Sequence, residues 1–336
     1  MQFINIVAVS LAVLLSIGCA KTPVESLEDY FHRTETYRVP DSVFSGSPMS
    51  AVFDKSRNLY VSDFFKRKII KIDSGFTDFH TIGRRGVGPY EYSTPMHIGI
   101  WEKYLYFSDQ NNGLIKRIPL TKEIPFQAIK IPGLIGARHF GILDTMLLAS
   151  SNDPGYFLRA YSLSEKREAQ SRLLKKFPGK GRVFKVSRHN INGGSILADS
   201  MNSCFYVSPA APGVIITISE HLEITDVLLL NHLPGFEHTS AVEDDSKLPQ
   251  VNIVQNIALL HGKSEYFFLH AIRFSDPKKK YYYLIDKQGS LVRYFVSSDR
   301  IYLCSSGRYM YFWNFTESNK NAHYSYIEKY RFETGM

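Results

Sequence analysis

Pro48-Met49-Ser50, Asn58-Leu59-Tyr60-Val61-Ser62-Asp63 and Ile70-Lys71-Ile72 return, in the same order, as Pro95-Met96-His97, Tyr104-Leu105-Tyr106-Phe107-Ser108-Asp109 and Lys116-Arg117-Ile118. Asp63 and Asp109 stand 46 residues apart, and self-similarity at a period of roughly 40 to 50 residues marks a propeller blade or a solenoid unit. Side chains of a strand alternate between two faces, so apolar residues two apart mark half-buried strands. The first copy then reads as four strands, Ser50 to Phe53, Leu59 to Asp63, Lys68 to Ile72 and Phe79 to Ile82, with turns at Lys55-Ser56-Arg57-Asn58 and Asp73-Ser74-Gly75.

The same count carries along the chain. Blade two reads as His97 to Ile100, Tyr104 to Ser108, Leu114 to Ile118 and Ala128 to Ile131, and blade three as His139 to Leu143, Met146 to Ser150, Phe157 to Ser162 and Leu173 to Phe177. Blade four is expected in Lys185 to Asn190, Phe205 to Ser208, Val214 to Ile218 and Asp226 to Leu230, with Asn192-Gly193-Gly194 as a turn. Blade five takes Val251 to Leu259, Glu265 to His270, Lys280 to Ile285 and Leu291 to Phe295. Blade six takes Ile301 to Cys304, Tyr309 to Asn314 and Tyr324 to Tyr330, and little chain is left for its fourth strand. A ring of sheets must close, and closure leaves only short, protected edges. Thr36-Tyr37-Arg38-Val39 is β-rich and precedes blade one, so it is expected to complete blade six. The fold class is all-β, a six-bladed propeller of four-stranded antiparallel blades; seven blades is the alternative, because blade four is long enough to hold another strand pair.

The segment Phe3 to Ile17 is apolar apart from Asn5, Ser10 and Ser16. That length suits a signal-peptide core and is short of the ~20 apolar residues of a membrane-spanning helix. It ends in Ser16-Ile17-Gly18-Cys19-Ala20, which resembles the lipobox of bacterial lipoproteins, and that resemblance implies a lipidated Cys19. The expected organisation is residues 1–19 as signal peptide and lipidated cysteine, 20–33 as linker, and 34–336 as one propeller domain. The protein is accordingly expected in the cell envelope, joined to a membrane through its lipid.

Cys204 and Cys304, the only other thiols, lie in strand phrases of different blades and read as two buried thiols. The formal charge of +8 is spread along the chain, with patches at Lys175-Lys176, Lys180-Gly181-Arg182 and Lys278-Lys279-Lys280. In an exported protein these read as solvated loops, with nucleic acid no partner. The segment Leu233 to Leu248, with Glu237, His238, Glu243, Asp244 and Asp245, reads as a long polar loop over one face.

Leu105-Tyr106-Phe107-Ser108-Asp109-Gln110-Asn111-Asn112 with Ile115-Lys116-Arg117-Ile118 resembles the NHL-type phrase, an aromatic strand followed by Asp and then Asn. Ile82-Gly83-Arg84-Arg85-Gly86-Val87-Gly88-Pro89-Tyr90-Glu91-Tyr92 resembles the inter-blade signature of the TolB-like six-bladed propeller lipoproteins of Gram-negative bacteria. That resemblance implies a lipid-anchored propeller and transfers no catalytic residue. Read for itself, the glycine-rich phrase is a tight crossover between blades. It lacks the spacing of a dinucleotide fingerprint and the Gly-Lys-Ser/Thr of a phosphate loop, and no serine nucleophile elbow occurs in the chain.

One constellation could carry chemistry. The innermost strands align as Met96-His97-Ile98, Arg138-His139-Phe140 and Arg188-His189-Asn190. Equivalent places on inner strands form a ring about the axis, so His97, His139 and His189 are expected to converge. Three imidazoles could hold Zn2+ with an open position for water; Arg138 and Arg188 could instead bind an anion; or the histidines simply pack the channel. Asp63 and Asp109 read as turn caps. The leading expectation is a binding or scaffolding module for a glycan, peptide or envelope protein, using no cofactor. Its rival is a hydrolase or lyase of the propeller lactonase type, dependent on a metal such as Zn2+ or Ca2+.

Overall fold

A computed structural model describes residues 26–40, 43, 48–88, 91–109, 114–120, 127–129, 139–150, 156–163, 172–178, 194–209, 213–237, 252–261, 264–273, 275–314 and 324–332. It contains six four-stranded antiparallel sheets, each meandering from an innermost to an outermost strand. These are the blades of a six-bladed β-propeller. The innermost strands are Pro48–Phe53, Pro95–Trp101, Phe140–Leu143, Ser195–Asp199, Asn252–His261 and Arg300–Ser306. The second strands are the most deeply buried: every residue of Leu59–Asp63 and of Cys204–Ser208 is buried. That matches their apolar, aromatic composition, since they pack on both faces against neighbouring blades.

The ring closes as expected. Phe31–Pro40 pairs antiparallel with Tyr324–Phe332 as the outermost strand of blade six, from Phe31 opposite Phe332 to Pro40 opposite Tyr324. This strand begins at Phe31, ahead of residue 34 where the propeller was expected to start. A bulge between Arg33 and Glu35 inserts one residue and so reverses the alternation of faces. Phe31 therefore packs with the blade-five residues Phe268 and Phe295, whereas Val39 packs with the blade-one residues Leu59 and Ile70.

A buried charge cluster fastens this closure. The Glu328 carboxylate accepts from Arg300 Nε (2.7 Å), Arg33 Nη1 (2.9 Å), the Tyr330 hydroxyl (3.0 Å) and Asn314 Nδ2 (3.2 Å). Arg300 also reaches Glu28 at 2.6 Å. Burial pushes the Glu328 carboxyl up, and the Arg300 guanidinium more than reverses this, so its pKa lies below the ordinary value.

Two expectations need correction. The sheet of blade four begins at Ser195, so its innermost strand is Ser195–Asp199 and not Lys185 to Asn190, a segment outside the described residues. The start of the presumed polar loop is core: Leu233 and Phe236 are fully buried against blades four and five, while Pro234 O accepts from the Tyr283 hydroxyl at 2.6 Å. Asp63 caps the turn that follows it, through Lys66 N at 2.9 Å. Asp109 also holds the crossover that precedes its blade, accepting from Ser93 N (3.0 Å) and Thr94 N (2.9 Å) and pairing with buried Lys116 at 3.1 Å, while the turn after it lies outside the described residues. In that crossover Glu91 accepts from Gly88 N and from Arg84 Nε, each at 2.8 Å. Cys204 and Cys304 are free and buried.

Candidate functional site

Because every blade starts on its innermost strand, the six inner strands run the same way and enclose an axial cavity of about 270 Å³. Ser50, His97, Phe140, Ser195, Asn256 and Cys304 line it, one from each blade. Gly141 lets blades three and four approach there, for a Cβ at that position would meet Ile196 Cγ2 at 2.9 Å.

The structure brings two of the three expected histidines together. His97 lies on Pro95–Trp101, and His139 immediately precedes Phe140–Leu143. Their ring centroids are 5.1 Å apart, and His97 meets the Phe140 ring edge to face at 4.9 Å. His97 Nδ1 lies 3.3 Å from Ser50 Oγ. Each histidine backbone N–H donates to a second-strand serine, His97 to Ser108 Oγ at 3.1 Å and His139 to Ser150 Oγ at 3.3 Å. His97 lines the cavity half-buried, and desolvation by the surrounding protein pushes its pKa down to about 4. The imidazole is neutral at pH 7.

His189, Arg188 and Arg138 lie outside the described residues. In blade four Ser195, on the innermost strand, lines the cavity. An open zinc site uses three protein ligands; the described residues bring two imidazoles together, and one is already turned to Ser50. Among the described residues no group of three or more His, Cys, Asp or Glu side chains is placed to hold a metal ion.

Two residues the sequence reading passed over shape the channel. Ser50 Oγ accepts from Ile98 N of the next blade at 3.2 Å, and Ser195 Oγ accepts from Ile257 N of the next blade at 3.1 Å. Both hydroxyls thus tie one inner strand to its neighbour. The repeat carried a signal for Ser50, which stands in Pro48-Met49-Ser50 where His97 stands in Pro95-Met96-His97. Behind the wall of blade five, Asn256 Nδ2 lies 3.5 Å from Nδ1 of His270, which is stacked on Tyr282 at 5.1 Å. Burial, and after it the Lys280 charge, pushes His270 down to about 3. His232, just before the Leu233 to Leu248 segment, is engaged locally, its Nε2 lying 2.9 Å from Gly289 O.

No protein-family model and no curated protein sequence matches the chain. Solved structures do match it in fold. A putative exported protein from Bacteroides fragilis superimposes with a TM-score of 0.60 at 11% identity, over 92% of this chain and 97% of that one. A member of the duf4221 family from Bacteroides vulgatus gives 0.56 at 11% identity, over 90% and 97%. Virginiamycin B lyase from Staphylococcus aureus gives 0.53 at 10% identity, over 88% and 99%. At these identities the likeness establishes the propeller, and one fold of this kind hosts both binders and enzymes.

Proposed function

We propose that this chain is an exported, TolB-like propeller lipoprotein, held at the cell envelope through Cys19, that binds a glycan, peptide or protein partner at its channel mouth and loops. The observation that carries the binding reading is the use made of the channel's polar groups. Ser50 and Ser195 are engaged by neighbouring blades and His97 is uncharged, so the wall offers shape and neutral hydrogen bonding. The putative exported protein from Bacteroides fragilis among the structural neighbours supports the location. The lipobox resemblance at Cys19 supports the anchor.

Two experiments test the reading. Metabolic labelling with palmitate should mark the wild-type chain and leave Cys19→Ala unlabelled; label retained in the variant would refute the anchor. For the channel, His97→Trp fills the cavity beside Phe140. A partner crosslinked to the wild-type protein in intact envelopes should be lost from this variant, and equal crosslinking would move binding away from the axis.

A second reading, a lyase or hydrolase, is favoured by one feature: the neutral His97 imidazole faces the cavity 5.1 Å from His139, as a base at the axis would. It predicts that the full chain turns over a cyclic ester such as a streptogramin B antibiotic, with added divalent metal, and that His97→Gln abolishes this. Absence of turnover in folded protein would leave binding as the function.

A further inference from the structure

A cavity of about 360 Å³ lies off the axis, in the seam where the N-terminal strand closes blade six against blade one. Its walls are aromatic. Tyr37 stacks on Phe76 at 3.8 Å and 10°, and Phe53 packs on Tyr311 at 4.6 Å. Three cations stand around it, Arg57, Arg308 and Lys329, with the hydroxyls of Ser74 and Ser306. Within each blade the turns joining strands one to two and three to four fall at the same end. Arg57 and Arg308 sit on first-to-second turns and Ser74 on a third-to-fourth turn, so the cavity opens on the face opposite the blade-to-blade crossovers.

The three cations are not equivalent. Lys329 pairs with Glu35 at 2.6 Å and lies over the Tyr309 ring at 4.5 Å. Arg57 and Arg308 are exposed, and among the described residues neither guanidinium has an ion-pair or hydrogen-bond partner. The wall itself is held against a conformational preference. Phe76 has a left-handed φ of 57°, uncommon for a bulky residue. Asp73 fixes that turn by accepting from Thr77 N (2.6 Å), Asp78 N (2.8 Å) and Gly75 N (3.2 Å).

We propose that this seam is a binding site for an acidic sugar, a uronate or sulfated pyranose of an anionic glycan. The apolar face of the ring would lie on the aromatic wall, its hydroxyls within reach of Ser74 and Ser306, and its carboxylate or sulfate in the planar forks of Arg57 and Arg308. An inorganic anion would leave the aromatic wall unused, and a neutral sugar would leave both guanidiniums unused. The site is independent of what the axial channel does, because it shares no lining residue with it.

The test is calorimetric titration of the full chain with tetragalacturonate and with a sulfated tetrasaccharide, beside maltotetraose and inorganic sulfate as controls. Saturable binding of an acidic tetrasaccharide is expected, weakening as salt rises. Arg57→Ala and Arg308→Ala should each weaken it about tenfold, the loss of one charge-assisted hydrogen bond, and Tyr309→Ala should weaken it while leaving the salt dependence in place. No saturable binding of either acidic tetrasaccharide overturns the proposal. Equal affinity for maltotetraose, equal affinity for sulfate alone, or unchanged affinity in both arginine variants does the same. Both arginines are exposed, so the variants stay folded.

Discussion

The axial channel and the blade-six seam are both lined by residues from facing strands, yet they use their polar groups in opposite ways. In the channel, Ser50 and Ser195 accept amides of adjoining blades, and His97 is stripped of charge by burial. At the seam, charge is plentiful. On its blade-five side it is consumed, with Glu328, Arg300, Arg33 and Glu28 locked together; on its blade-one side Arg57 and Arg308 remain unengaged among the described residues. The difference follows from topology. The buried groups of a channel wall must be satisfied by its neighbours, because an unpaired buried group is costly, whereas a closure must both hold two chain ends and reach the surface.

The sharpest break in this comparison is Glu328→Ala. It removes the acceptor of two guanidiniums and leaves Arg300, whose side chain is 16% exposed, without its main partner. Breaking such a pair costs ~3–5 kcal/mol, which urea denaturation at pH 7 should read as the largest loss among the variants considered. A loss below ~1 kcal/mol would mean that the closure is held by its apolar core of Phe31, Phe268 and Phe312 alone.

Acid should strike the channel side next. From the ordinary 6.5, burial lowers His97 to about 4 and His270 to about 3. As pH falls below 6.5 the unfolded chain takes up protons that the folded chain refuses, so stability is present above that value and is lost towards pH 4. At pH 5 the loss is about 2 kcal/mol per histidine. His97→Gln should therefore narrow the difference between denaturation midpoints at pH 7.5 and pH 5, and an unchanged difference would show that His97 titrates normally.

How much of this was legible depended on whether partners are close in sequence. Blades one and two could be read from the repeat because each strand is followed by its own neighbour, and Thr36-Tyr37-Arg38-Val39 was recognisable as the closing strand from its β-rich composition. Blade four misled for a physical reason. Lys185 to Asn190 was chosen because Arg188-His189 repeats Arg138-His139, whereas the inner strand of the sheet, Ser195-Ile196-Leu197-Ala198-Asp199, is short and has no aromatic residue. His189 was aligned with His97 and His139 through that segment and lies outside the described residues, where Ser195 is the lining residue that blade four is seen to supply. Leu233 and Phe236 were hidden among polar residues. The seam was out of reach altogether, since Tyr37, Phe53, Phe76, Arg308 and Tyr311 meet only through closure of the ring.

Smaller effects refine the contrast. Ser195→Ala leaves the buried Ile257 N–H without its acceptor and should cost ~1–2 kcal/mol. Ser50→Ala should cost a similar amount and additionally release His97 Nδ1. Neither serine variant should alter binding of acidic tetrasaccharides, since neither residue borders the seam cavity.

The smallest expected change in stability is the most discriminating. Arg57→Ala and Arg308→Ala remove exposed side chains that make no ion pair with any described residue, so each should shift unfolding by no more than ~0.5 kcal/mol. A structural arginine would show the reverse pattern, a loss of stability with little loss of ligand. If instead each variant unfolds at the wild-type urea concentration while its acidic-sugar titration flattens, the two guanidiniums serve a ligand and not the fold. The seam then differs from the channel in the way its geometry indicates: one set of polar groups is engaged in holding blades together, and the other is left available at the surface.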